Sequence, residues 1–171
     1  MRILLITGLL FSGLFLTSCH SSKQLTGTRG QREQLSHQLG IKLSRKDDLH
    51  LYSEAAKWLG TPYCYGGTTR KGVDCSGLVG QIYQQVYHKK LARNTQDIAN
   101  KNCRKVMKSD LKTGNLVFFN TSQKKKKGIN HVGLFLKNGY FIHASTSRGV
   151  IISNLKEAYY HKTWKQGGQV R

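Results

Sequence analysis

The chain has 171 residues, with 28 Lys or Arg against 8 Asp or Glu and a formal net charge of +20. That length accommodates one ordinary domain and excludes two of comfortable size. An excess of positive charge this large calls for a polyanionic neighbour. The 4 cysteines include no CxxC pair, and no HExxH occurs, so a metal site has no support and no cofactor is expected.

Met1 to Leu16 carries one basic residue, Arg2, followed by an unbroken run of apolar and small residues that ends in Leu16-Thr17-Ser18-Cys19. The run is too short and too abruptly ended for a membrane span and has the charged start and apolar middle of a secretory signal. Its last four residues resemble the lipobox of bacterial lipoproteins, in which the signal is cut before a cysteine that receives lipid chains. The resemblance implies a signal peptide over 1–18, a lipidated Cys19 (palmitate among its chains) and a membrane anchor through it. From His20 to about Lys46 the chain is rich in Ser, Gly, Gln, Thr and basic residues. Such a stretch buries too little apolar surface to offset its ordering entropy, so 19–46 reads as a flexible basic tether, with helical character near Leu35 to Leu43. An exported, tethered chain does not ordinarily meet nucleic acid. The polyanion expected is therefore lipid head groups or an acidic wall polymer.

A single domain is then expected over 47–171. Asp47 or Asp48 caps a helix over about Leu49 to Leu59, which Gly60 and Pro62 end. Thr61-Pro62-Tyr63-Cys64-Tyr65-Gly66-Gly67 and a loop through Gly72 lead to Asp74, the N-cap of a second helix from Cys75 to about Tyr87, on which Leu78, Val79, Ile82 and Val86 repeat at helical spacing. A third short helix lies around Asn94 to Asn102. The texture then changes to short runs rich in Val, Ile, Phe and Tyr, namely Leu116 to Phe119, His131 to Leu136, Tyr140 to His143 and Val150 to Ile152. Lys124 to Lys127 reads as a solvated loop between two of them. Asn138-Gly139 is a strong two-residue hairpin signal that sets the strand of His131 beside that of His143. Leu155 to Tyr160 reads as a short helix and Trp164 to Val170 as a closing strand. Helices first and strands after make an α+β fold, N-terminal helices packed on an antiparallel sheet.

The chemistry rests on Cys75. A thiol at a helix start meets the positive end of the helix dipole and unpaired N–H groups, which favours the reactive thiolate and predicts fast alkylation at mildly acidic pH. A cysteine nucleophile needs a base, and the base needs a third group to orient it. His131 and His143 fill those places, whereas His20, His37, His50, His88 and His161 lie in the tether, on polar helix surfaces or near the tail. Cys64 and Cys103 are left either bridged or separate, since a disulfide needs a specific geometry.

Tyr63 with Gly66-Gly67, Asp74-Cys75-Ser76-Gly77-Leu78-Val79, Leu91-Ala92-Arg93-Asn94-Thr95, Gly114-Asn115-Leu116-Val117-Phe118-Phe119, His131-Val132-Gly133-Leu134 and His143-Ala144 resemble the motif series of the NlpC/P60 cysteine peptidases, papain-like cell-wall endopeptidases. The resemblance runs from about Leu51 to Arg171. It implies Cys75 as nucleophile, His131 as general base and later acid, and His143 as the polar residue that orients His131. It also implies Tyr63 beside the cysteine as an oxyanion or positioning group, and Asp74 and Ser76 as contacts to the substrate. The implied substrate is the peptidoglycan stem peptide, cut between γ-D-glutamyl and the following diamino acid, diaminopimelate or lysine, by a monomer. One departure is Gly114-Asn115-Leu116, where the family usually has Gly-Asp-Leu; the turn-forming side chain is kept. The alternatives from other classes are a non-catalytic wall-binding scaffold lipoprotein and a papain-like amidase or acyltransferase acting elsewhere. His20 after Cys19 supplies no acidic retention signal, which points to the outer membrane facing the periplasm, or to the cell-membrane surface in a Gram-positive host.

Overall fold

The computed structural model describes residues 28–122 and 128–171. The expected signal peptide, Cys19 and the Lys124 to Lys127 run lie outside the described residues.

The part of the expected tether that is described is ordered. Helix α1 (Arg29–Leu39) starts at a capping box in which Thr28 Oγ1 accepts from Gln31 N–H and Gln31 returns the bond to the Thr28 N–H, and it ends on Gly40 at φ 65°. Few apolar residues occur here, but Leu39, Ile41 and Leu43 are all buried. They gain a partner in α2 (Leu49–Trp58), capped by Asp48 as expected. Arg32 donates to the Ser44 carbonyl, and Gln38 donates to that of Ala56, fastening α1 both to the loop before α2 and to α2 itself. Composition alone failed here because the burial depends on a surface that a second helix provides.

A minimal hairpin, β1 (Thr68–Thr69) and β2 (Gly72–Val73), comes next and delivers the chain to α3 (Cys75–Tyr87). The stretch expected as a third helix is a short turn, α4 (Thr95–Asp97), capped by Asn94 and running into a π turn over Ile98–Asn102.

Six antiparallel strands form the sheet, in spatial order β3 (Cys103–Val106), β8 (Trp164–Val170), β4 (Leu116–Phe119), β5 (His131–Phe135), β6 (Tyr140–Ser145) and β7 (Gly149–Asn154). Strand β3 escaped the sequence reading because Arg104 and Lys105 interrupt its apolar residues, as charges do on an edge strand. The expected hairpin is present, but its pairing of Leu134 with Ile142 and Phe135 with Phe141 leaves three loop residues, Lys137 to Gly139, rather than two. Asn138 and Gly139 both take positive φ, 53° and 85°, and Tyr140 N–H donates to the Lys137 carbonyl at 2.8 Å.

Alternation of side chains separates two cores. Leu116, Phe118, Val132, Leu134, Ile142 and Ala144 face the helices, whereas Val117, Phe119, Phe135 and Phe141 pack on the other face beneath Leu155 and Tyr160. Tyr160 belongs to α5 (Ala158–Thr163), which begins three residues later than the expected helix. Covered faces on both sides explain why β4 is apolar at every position.

The start of α3 is pressed against the preceding loop. A Cβ on Gly77 would lie 2.3 Å from the Gly67 carbonyl oxygen. Gly77→Ala therefore tests sterics against propensity: helix propensity alone gives about 1 kcal/mol of gain, whereas overpacking against backbone costs about 1–3 kcal/mol. A lowered urea midpoint is expected, and a raised one would show that the loop yields freely.

Candidate active site

Asp74 organises the entrance to α3. Its Oδ1 accepts from the Gly77 N–H at 2.7 Å and the Ser76 hydroxyl at 3.0 Å, and its Oδ2 accepts from the Gly66 N–H at 2.9 Å. The Arg93 guanidinium adds a two-pronged contact, 2.9 Å to Oδ1 and 2.7 Å to Oδ2, and also donates to the Ser76 hydroxyl at 2.8 Å. Burial pushes the Asp74 carboxyl upward, but the bonds from Arg93, Gly77, Gly66 and Ser76 outweigh it and hold the group below the usual carboxylate range. Both oxygens of Asp74 and the hydroxyl of Ser76 are thus engaged within the protein.

Cys75, the first residue of α3, is 8% exposed. Its sulfur lies 3.7 Å from the Thr95 hydroxyl, with the backbone N–H groups of Val132 and Ser76 also directed at it. Burial nonetheless pushes the thiol up, the Thr95 and Val132 bonds offsetting only part, and the Asp74 carboxylate adds to the rise. The expected helix-start thiolate is therefore corrected. Excluding water costs the charged form more than the helix end returns, and the N-cap carboxylate sits where the positive end would act.

The hairpin places His131 and His143 together. His131 Nε2 lies 2.9 Å from His143 Nδ1, and His143 Nε2 is 3.0 Å from the Tyr160 hydroxyl and 3.2 Å from that of Ser153. Val132, whose backbone N–H is directed at the Cys75 sulfur, adjoins His131 in β5, which brings that strand to the start of α3. Burial pushes His131 down to about 4, and His143 falls further, through burial first and then through the charges of His131 and Arg148. Burial disfavours the charged forms of the thiol and of both imidazoles.

Neutral buried imidazoles make stability depend on pH. Above about pH 6.5 neither folded nor unfolded histidine binds the extra proton. Below it the unfolded imidazoles take up protons while the folded ones, His131 down to about 4, stay neutral. Stability should thus fall on acidification from about 6.5 toward 4, by up to about 1.4 kcal/mol per pH unit for each such histidine. Urea titrations across that range should show a shallower slope for His143→Gln than for the wild type; equal slopes would contradict the neutral buried pair.

A cleft of about 440 Å³ opens over this centre, lined by Tyr63, Tyr65, Cys75, Ser76, Arg93 and Thr95 among others. Tyr63 is half-buried, and burial, followed by the proximity of Cys75 and Asp74, raises its hydroxyl, keeping it a proton donor. Cys64 and Cys103 are free thiols, Cys64 exposed and Cys103 buried and pushed up to about 12, so they are not bridged. Asn115 keeps its turn role, its Oδ1 accepting from the Lys112 N–H at 2.9 Å. No group of three or more His, Cys, Asp or Glu suited to a metal occurs among the described residues.

Residues 60–169 match the NlpC/P60 family. The chain belongs to the NlpC/P60 family, a family of peptidases. It is 40% identical over 123 residues to a probable endopeptidase NlpC homolog of Haemophilus influenzae, covering 72% of this chain and 63% of that protein's length. It is 33% identical over 153 residues to the murein DD-endopeptidase MepS/murein LD-carboxypeptidase of Escherichia coli strain K12, covering 88% and 79% of the two chains. The crystal structure of the NlpC/p60 domain of the peptidoglycan hydrolase SagA superposes with a TM-score of 0.60 at 27% identity, over 71% of this chain and 97% of that domain. The match to the NlpC/P60 family contains every side chain described at the site, while α1 lies before it.

Thr95, Arg93, Ser153 and Tyr160 were not assigned from the sequence. Arg93 and Thr95 stood in a quoted motif, but their pairing with Asp74 and Cys75 spans 19 and 20 residues. Ser153 carried a weak signal, a polar residue directly after the apolar run Val150 to Ile152. Tyr160 carried none, because its contact to His143 depends on how α5 folds back over the sheet.

Proposed function

We propose that this NlpC/P60 chain hydrolyses peptidoglycan stem peptides through Cys75, His131 and His143, at the bond between γ-D-glutamyl and the following diamino acid. The observation that carries the reading is the buried His131–His143 contact of 2.9 Å, on the strand whose Val132 N–H is directed at Cys75. His143 Nε2–H donates to the hydroxyl of Ser153 or Tyr160, leaving Nδ1 to accept from His131 Nε2–H. That tautomer frees Nδ1 of His131 to receive the thiol proton.

Starting from a neutral pair, His131 takes the proton as sulfur attacks the stem carbonyl, so charge separates only as the bond forms. The oxyanion meets the Tyr63 hydroxyl and N–H groups at the start of α3. Collapse expels the amine, which leaves with the proton from His131, and water then releases the acyl group by the reverse sequence. Asp74 and Ser76 line the cleft and, with Arg93, also hold the helix start, so the stem meets them with their internal bonds already made. The lipid on Cys19, in the outer membrane facing the periplasm, and the net charge, +20 for the whole chain less Arg2 on loss of 1–18, would keep the enzyme at the envelope.

A second bond is favoured by the similarity to MepS, named a DD-endopeptidase, over 88% of the chain. Mass spectrometry of products from defined uncrosslinked and crosslinked stem peptides separates the two. Fragments ending in γ-D-glutamate support the first bond and resolved crosslinks the second. Intact peptides after prolonged incubation would overturn the hydrolase reading in favour of a binding scaffold.

A further inference from the structure

Ser76 and Arg93 line two cavities, the catalytic cleft and a second groove of about 590 Å³ on the outer side of α3. The floor of the second is one helical face, Gly77, Gly80, Gln81 and Gln84, at spacings of three and four residues. Thr68 and Lys90 stand along its sides. The side chains of Gln81, Gln84 and Lys90 make no hydrogen bond or ion pair with any described residue. A Cβ built on Gly80 would meet nothing within 4 Å, so the groove is open at its centre.

We propose that this groove is a second substrate subsite, continuous with the cleft past Arg93, that receives a carboxylate-bearing peptide segment. The proposal rests on the stem-peptide reading and deepens it. From Ser76 to Gln84 the helix face rises about 12 Å at 1.5 Å per residue, and an extended peptide covers that distance in three to four residues. Two carboxamides and a hydroxyl match the alternating N–H and C=O groups of a peptide. Lys90 supplies a cation for the free carboxylate that γ-linked glutamyl and diamino acid residues carry beside their amides. The lining holds no aromatic ring on which a sugar would stack, so glycan is the poorer occupant.

Gly80→Leu fills the groove without touching Cys75, His131 or His143. Full-length wild type and Gly80→Leu are compared on a minimal substrate containing only the two residues of the scissile bond and on stems extended by three residues to either side. The expected result is unchanged turnover of the minimal substrate and a kcat/KM about tenfold lower for one of the extended stems. Lys90→Gln should lose about threefold on that stem and nothing on its carboxamide counterpart. The same stem is titrated calorimetrically against Cys75→Ala with and without Gly80→Leu, a binding readout that does not need hydrolysis. Equal effects on minimal and extended substrates, or equal Kd values with and without Gly80→Leu, would overturn the subsite. So would a loss seen only with glycan-bearing stems. Absent hydrolysis with a Kd that weakens tenfold in the Gly80→Leu background would leave the subsite standing and remove the hydrolase reading.

Discussion

Cys75→Ser should lower turnover of stem peptides by about 10⁴-fold or more, in line with removal of a nucleophile from a unit that acts together. A hydroxyl of almost the same shape fills the 8% exposed site beside Thr95, so the urea midpoint should stay near the wild-type value. A serine proton is held far more tightly than a thiol proton, and His131, pushed down to about 4, is too weak a base to compensate. The same neutrality shapes the pH profile. With the thiol raised and His131 lowered, kcat/KM should rise as His131 loses its proton near 4 and stay flat through neutrality, rather than peak between a thiolate and an imidazolium. Alkylation of Cys75 should be slow in mild acid and quicken toward alkaline pH. A slow thiol in acid is therefore no mark of a retired enzyme here, and wall hydrolysis by wild type against Cys75→Ser is the decisive comparison. Substantial activity in Cys75→Ser would sink the thiol mechanism.

Arg93→Ala should be the most costly substitution outside the hydrophobic core, by about 2–3 kcal/mol. Asp74 is buried, and its charge is sustained by the guanidinium fork at 2.7 and 2.9 Å. Removing one partner of such a pair leaves a buried charge uncompensated, at about 3–5 kcal/mol when both are sealed from water. The Arg93 side chain is 47% exposed, so water relieves part of that loss. Arg93→Lys should recover less than half, because an ammonium cannot satisfy both carboxylate oxygens and the Ser76 hydroxyl in one plane. Activity should fall with stability, since the carboxylate that Arg93 holds also caps the helix presenting Cys75. Urea unfolding of Arg93→Ala, Asp74→Asn and the double variant separates the pair from its parts. Additive losses would show that the two side chains are not coupled.

Much of the fold was legible because local pattern and tertiary environment agree. The Asp74 cap, the helical spacing from Leu78 to Val86 and the Asn138-Gly139 turn each needs only its own neighbours. Elements failed where that agreement ends. Helix α1 is polar by composition and stands on the burial of Leu39, Ile41 and Leu43 against α2, and β3 is a charged edge recognisable only through its pairing with β8.

For the site, residue types and order alone determined that Cys75 begins a helix and that His131 and His143 lie on adjoining strands, since capping and hairpin chemistry act over a few residues. What those groups are at rest was decided by the tertiary structure. The thiol that the helix start would push toward the thiolate is pushed up instead, because burial is a property of everything packed around Cys75 and no local signal encodes it. Asp74 and Ser76 line the cleft and are also bound to Arg93 across 17 to 19 residues of chain, and His143 is oriented by Tyr160 across 17. Such partners meet only when the helices close over one face of the sheet and α5 over the other.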